Sequence, residues 1–62
     1  MVQVKERILA FVREQGRPVS IEEMAAALLL PPDEVYRAVL LLVQERQLTA
    51  VEQAKELELI PA

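Results

Sequence analysis

The interval from Ser20 to Pro32 constrains the fold more than any other part of this chain. Ser20 is followed three residues later by Glu23, the pattern of a capping box, and Val19 and Met24 stand where a hydrophobic staple needs them. The helix that starts there carries Ile21, Met24, Ala25 and Leu28 toward a core. Pro31-Pro32 must end it, because a proline removes a donor and biases the residue before it away from helical geometry. A proline is also welcome at the first position of a following helix, whose positive dipole end Asp33 and Glu34 suit. The pattern therefore predicts a short helix, a tight turn, and a third helix over residues 32–46.

On the N-terminal side, Val4, Ile8, Phe11 and Val12 recur at helical spacing, with Leu9 at the edge of their face. They predict a first helix over residues 2–15, with Lys5, Glu6, Arg13 and Glu14 on its other side and Gly16 as a left-handed cap. Arg17-Pro18-Val19 reads as a short extended stretch. Three helices with a tight turn between the last two form a helix-turn-helix. After residue 46 the period changes to two. Leu48, Ala50 and Glu52 alternate with Thr49 and Val51, and Leu57 and Leu59 alternate with Glu56, Glu58 and Ile60. The fold class expected is α+β and mostly helical, a three-helix core closed by a short C-terminal β-hairpin. The turn lacks the Gly or Asn that tight hairpins prefer. Thr49-Ala50-Val51-Glu52 also reads as a capping box, so the alternative is an all-α chain with a fourth helix through Leu57.

Sixty-two residues make a single domain near the lower size limit for folding alone, and with no cysteine and no histidine neither a disulfide nor an ordinary zinc site supports it. The core must be aliphatic. At 53% hydrophobic residues, so short a chain leaves some aliphatics exposed, which favours a homodimer or a bound partner. The longest apolar runs, residues 24–30 and 38–43, fall far short of a membrane span, and the N-terminus opens into an amphipathic pattern rather than a signal peptide. A cytoplasmic location without membrane association is the expectation. The formal charge of −3 lowers the odds of a nucleic-acid partner, which is normally held by neutralising phosphates.

The segment Met24-Ala25-Ala26-Ala27-Leu28-Leu29-Leu30-Pro31-Pro32-Asp33-Glu34-Val35-Tyr36-Arg37-Ala38-Val39 resembles the second helix, turn and recognition helix of the winged helix-turn-helix superfamily, common among bacterial transcription regulators. Leu42, Val43 and Leu48 continue the likeness into a first wing strand, so that it covers nearly the whole chain. The resemblance implies a DNA-binding transcription regulator acting as a dimer. It also admits a protein-binding member, since one fold hosts many functions. Two residues depart from the pattern: Leu29 and Arg46 stand where the family usually has Gly. A left-handed residue costs about 1–2 kcal/mol when it is not Gly, so a tighter or differently shaped turn is expected here.

On a helical wheel Val35, Val39, Leu42 and Arg46 share the core face of the third helix, with Ala38 and Val43 at its margins. Arg37, Leu40, Leu41 and Gln44 point outward, flanked by Tyr36. Arg37 and Gln44 suit base edges, Tyr36 suits a phosphate, and Lys55 is the one cation of the hairpin tip. Tyr36, Arg37, Gln44 and Lys55 are the candidate contacts with duplex DNA. The plainer reading of Arg37 is a surface ion pair with Glu34. Leu40 and Leu41 do not suit a groove of phosphates and polar edges; they are the candidate partner or dimer interface, unless the helix rolls and buries one of them.

Catalytic chemistry has little to work with. No histidine is present to activate the hydroxyls of Ser20, Tyr36 and Thr49, and dipole complementarity explains Glu22-Glu23 and Asp33-Glu34. A single glycine makes no phosphate loop. The sequence is read as a non-enzyme with no metal, cofactor or small-molecule substrate.

Overall fold

The computed structural model describes residues 3–53 and 56–62, the side chain of Gln53 excepted. In chain order the elements are α1 (Val4–Gln15), β1 (Val19–Ser20), α2 (Ile21–Leu28), α3 (Pro32–Gln44), β2 (Leu48–Gln53) and β3 (Glu56–Pro61). The three helices and a three-stranded antiparallel sheet of order β1-β3-β2 make an α+β, winged-helix-like layout.

The C-terminal residues form the hairpin, and the alternative of a fourth helix is corrected. Pairing runs without interruption from Leu48↔Pro61 to Gln53↔Glu56. The period of two decides the matter, because it puts Leu48 and Leu59 on one face of the sheet and both are fully packed in the core. Ala54 and Lys55, which connect the strands, lie outside the described residues. The Ala62 N–H donates to the Gln47 carbonyl at 3.1 Å. Antiparallel ladders alternate bonded and non-bonded pairs, so Thr49↔Ile60 and Val51↔Glu58 are the bonded pairs and Leu48↔Pro61 is not. Pro61 therefore sits in a strand without depriving β2 of a donor.

All three helices end in the left-handed conformation. Gly16 has φ 65°, Leu29 φ 55° and Arg46 φ 61°. After α2 the Leu30 N–H donates to the Ala25 carbonyl at 3.0 Å. After α3 the Gln47 and Arg46 N–H groups donate to the Leu42 and Val43 carbonyls at 2.9 and 3.0 Å. These are Schellman closures. The tighter or reshaped turn expected from the missing glycines is thus corrected: Leu29 and Arg46 adopt the glycine-like geometry, because the closures satisfy carbonyls that would otherwise be orphaned. The Arg46 reversal also stops α3 at Gln44, two residues short of the expected end.

The helix start at Ser20 is as expected. The Glu23 N–H donates to Ser20 Oγ at 3.1 Å, and Val19 and Met24 are both fully buried. Ile8 and Val12 from α1, Met24 and Ala25 from α2, and Val35, Ala38, Val39 and Leu42 from α3 join them with Leu48 and Leu59 in one aliphatic core. No helix of the described residues is long and apolar enough to cross a membrane.

Candidate macromolecule-binding face

The outer face of α3 follows from how its inner face packs. With Val35, Ala38, Val39 and Leu42 committed to the core, the 3.6-residue period turns Tyr36, Arg37, Leu40, Leu41 and Gln44 outward. All five are exposed. Leu40 and Leu41 retain 43% and 46% of their surface and Tyr36 47%, so the helix has not rolled to bury either leucine. The residues singled out from the sequence on α3 therefore share one side of one helix. Lys55, the fourth candidate DNA contact, lies outside the described residues.

Just before α3, Leu29 leaves 90% of its surface in water while holding a backbone conformation that disfavours any side chain. The sequence carried a signal for the strain, a non-glycine where the resemblance implies Gly. It carried none for the exposure, because Leu28 and Leu30 on either side are both partly buried against the core.

Charge around this face is sparse, and the structure shows where the cations have gone. Lys5 Nζ meets Glu45 Oε2 at 2.5 Å, tying the start of α1 to the end of α3. An Arg7 guanidinium nitrogen donates to the Leu28 carbonyl at 3.2 Å, closing α2 from outside. Arg13 donates to Gln47 Oε1 at 3.4 Å. Arg17 forks onto both carboxylate oxygens of Glu23. The hydrogen bond from Arg17 holds the Glu23 carboxyl below its ordinary value, helped by the guanidinium charge and the Ser20 backbone and opposed by partial burial. The same hydrogen bond and charge raise Arg17. Four of the six cations among the described residues thus serve contacts within the fold. Arg37 and Arg46 form no salt bridge among the described residues, Glu34 included, and only Arg37 lies on the outer face of α3.

Two shallow, open clefts flank the core, one between the start of α2 and Glu56-Leu57, the other lined by Gln3, Lys5, Glu6, Leu9, Leu42, Glu45 and Gln47. Among the described residues no group of acidic residues is arranged to hold a metal ion. The chain matches no protein-family model, no curated protein and no solved structure.

Proposed function

We propose that this chain is a winged-helix interaction module that docks the outer face of α3 onto a protein partner through Leu40 and Leu41, with Tyr36 at the margin. The observation that supports it is the pair of half-exposed leucines beside a tyrosine on a helix whose outer face holds a single arginine. Burying the remaining surface of both leucines contributes roughly 2 kcal/mol before the costs of association. That is enough to make them the centre of a small interface but not the whole of it. The same leucines in a DNA groove would meet phosphates and polar edges and gain little beyond a thymine methyl. With Lys5, Arg7, Arg13 and Arg17 engaged inside the fold, few cations remain to neutralise phosphates.

One observation favours a second reading, a DNA-binding transcription regulator. Tyr36, Arg37 and Gln44 are exposed together on the helix that resembles a recognition helix, and Arg and Gln are the side chains suited to guanine and adenine edges. The deciding experiment is an NMR titration of the labelled protein with mixed-sequence duplex DNA at low salt. Salt-sensitive shifts clustered on Tyr36, Arg37 and Gln44 would replace the protein-partner reading with the DNA reading. Unchanged spectra at low salt, where electrostatic binding is strongest, support the protein partner.

A further inference from the structure

The C-terminal end of α2 is left open. The Leu29 and Leu30 N–H groups both turn back onto the Ala25 carbonyl. The next two residues are Pro31 and Pro32, which have no N–H to give. The carbonyls of Ala26 and Ala27 therefore accept no hydrogen bond among the described residues, from backbone or side chain. Both alanines are exposed. Beside them Leu29 keeps 90% of its surface in water while holding φ at 55°.

An exposed leucine is ordinary by itself. One that also forces the backbone into the left-handed region is not, because glycine would hold the same turn without strain and without the apolar surface. Strain kept in this way points to something the residue does outside the free fold. The surroundings say what would meet it. Residues 24–32 hold no charged or polar side chain. The end of α2 carries the negative pole of the helix dipole and has no basic residue in its last turn. Asp33 and Glu34 stand exposed just beyond it. The fold itself shows which donor fits, since the Arg7 guanidinium reaches the neighbouring Leu28 carbonyl at 3.2 Å. A second guanidinium, arriving from outside with its several N–H groups, would find the Ala26 and Ala27 carbonyls free.

We propose that residues 26–32 form a docking knob for a protein partner, with Leu29 entering an apolar pocket of that partner and an arginine at the pocket's rim donating to the Ala26 and Ala27 carbonyls. The phosphates of a nucleic acid or of an anionic membrane would face these carbonyls together with Asp33 and Glu34 and be repelled. A second copy of the chain is a poor match for the knob. Both of its clefts are lined by glutamates, Glu22 and Glu56 in one and Glu6 and Glu45 in the other, and neither holds an arginine. The proposal rests on the reading of the chain as a protein-docking module, but not on Leu40 and Leu41.

Photo-cross-linking from position 29 tests it. Leu29→photo-leucine keeps the shape of the side chain, and the protein is irradiated in an extract of its source cells. The expected result is one cross-linked protein, identified by mass spectrometry, attached through an apolar site beside an arginine. Excess unlabelled parent should suppress the product, and excess Leu29→Gly should not, its affinity being lower by about tenfold or more. The glycine variant relieves the strain and should melt above the parent, so its weaker competition cannot be unfolding. Replacing the partner's arginine by glutamine should weaken binding to a similar degree. A product that the parent does not compete away overturns the proposal, as does none at all. So does attachment to another copy of this chain, to lipid or to nucleic acid, or a Leu29→Gly protein that competes as well as the parent. Leu40→Glu/Leu41→Glu, used as a third competitor, separates the two readings. If it competes as the parent does while Leu29→Gly fails, the knob stands and the α3 face does not; the opposite pattern removes the knob and keeps the face.

Discussion

Leu29 and Arg46 terminate consecutive helices in the same left-handed conformation, at φ 55° and 61°, each in a place where only glycine is free of strain. Gly16 closes the first helix at φ 65° with nothing within 4 Å of where a Cβ would stand. The three sites form an internal comparison, since one carries the residue its backbone asks for and two do not. Leu29→Gly and Arg46→Gly should each stabilise the domain by about 1 kcal/mol, relief of left-handed strain exceeding the added freedom of the unfolded chain. At this size 1 kcal/mol raises Tm by about 4–8 °C. Gly16→Ala should destabilise by about 1 kcal/mol through the backbone alone, the site being open. Thermal melts of the three variants check the set, and a Leu29→Gly protein no more stable than the parent would show that the turn carries no strain.

The Arg17–Glu23 pair sets an acid-sensitive step at the entry to α2. Glu23 is held below its ordinary value of 4.5, chiefly by the hydrogen bond from Arg17. A carboxyl lowered in the folded state contributes stability that is complete above its unfolded value and is lost as pH falls through the lower folded value. The window therefore opens at about pH 4.5 and extends below it, and neutral pH lies outside it. Glu23→Gln should flatten this part of the acid limb relative to the parent. Denaturant midpoints measured between pH 2 and 7 give the comparison.

The helices and the core were legible because their signals are local or periodic. Ser20 and Glu23 announce α2, Pro31-Pro32 separate it from α3, and the spacing of Val35, Val39 and Leu42 orients α3 so that its outward residues can be named in advance. The hairpin was harder, since Thr49 and Glu52 satisfy a helix-start pattern as well as a strand pattern. Long-range pairing of Ala50 with Leu59 decides between them, and no local window contains that contact. Missing glycines at residues 29 and 46 suggested an altered turn because the strain is visible in the sequence. The compensating Schellman bonds are backbone groups with no side-chain signature. The engagement of Lys5 by Glu45, forty residues away, could not be read in the sequence either, because it depends on how α1 and α3 cross.

The core has no reserve. For a domain of this size, about 0.05–0.15 kcal/mol per residue corresponds to roughly 3–9 kcal/mol in all. Ile8 and Leu59 are fully buried, one at the centre of α1 and the other in the middle strand of the sheet. Truncating such a side chain costs about 2–5 kcal/mol. Ile8→Ala and Leu59→Ala should each remove most of the cooperative transition at 37 °C. Val51→Ala, on the half-buried outer face of the sheet, should cost under about 1.5 kcal/mol. Chemical denaturation followed by circular dichroism separates the two classes.

The functional reading turns on two substitutions that leave the core alone. Leu40→Glu with Leu41→Glu places two carboxylates on an exposed face, so the melting temperature should stay within a few degrees of the parent. Affinity for a protein partner should fall by about 100-fold or more, since two apolar contacts are lost and two charges must be desolvated. Arg37→Ala is the complementary probe, removing the only cation on that face. Where α3 docks on protein, it should weaken binding by less than about tenfold and change the salt dependence little. Where α3 enters a DNA groove the order reverses: Arg37→Ala becomes the more damaging change and lowers the slope of affinity against salt by about one. Binding isotherms for both variants at two salt concentrations, with the partner and with duplex DNA, separate the readings. A double-glutamate variant that binds its protein partner as the parent does would remove Leu40 and Leu41 from the interface.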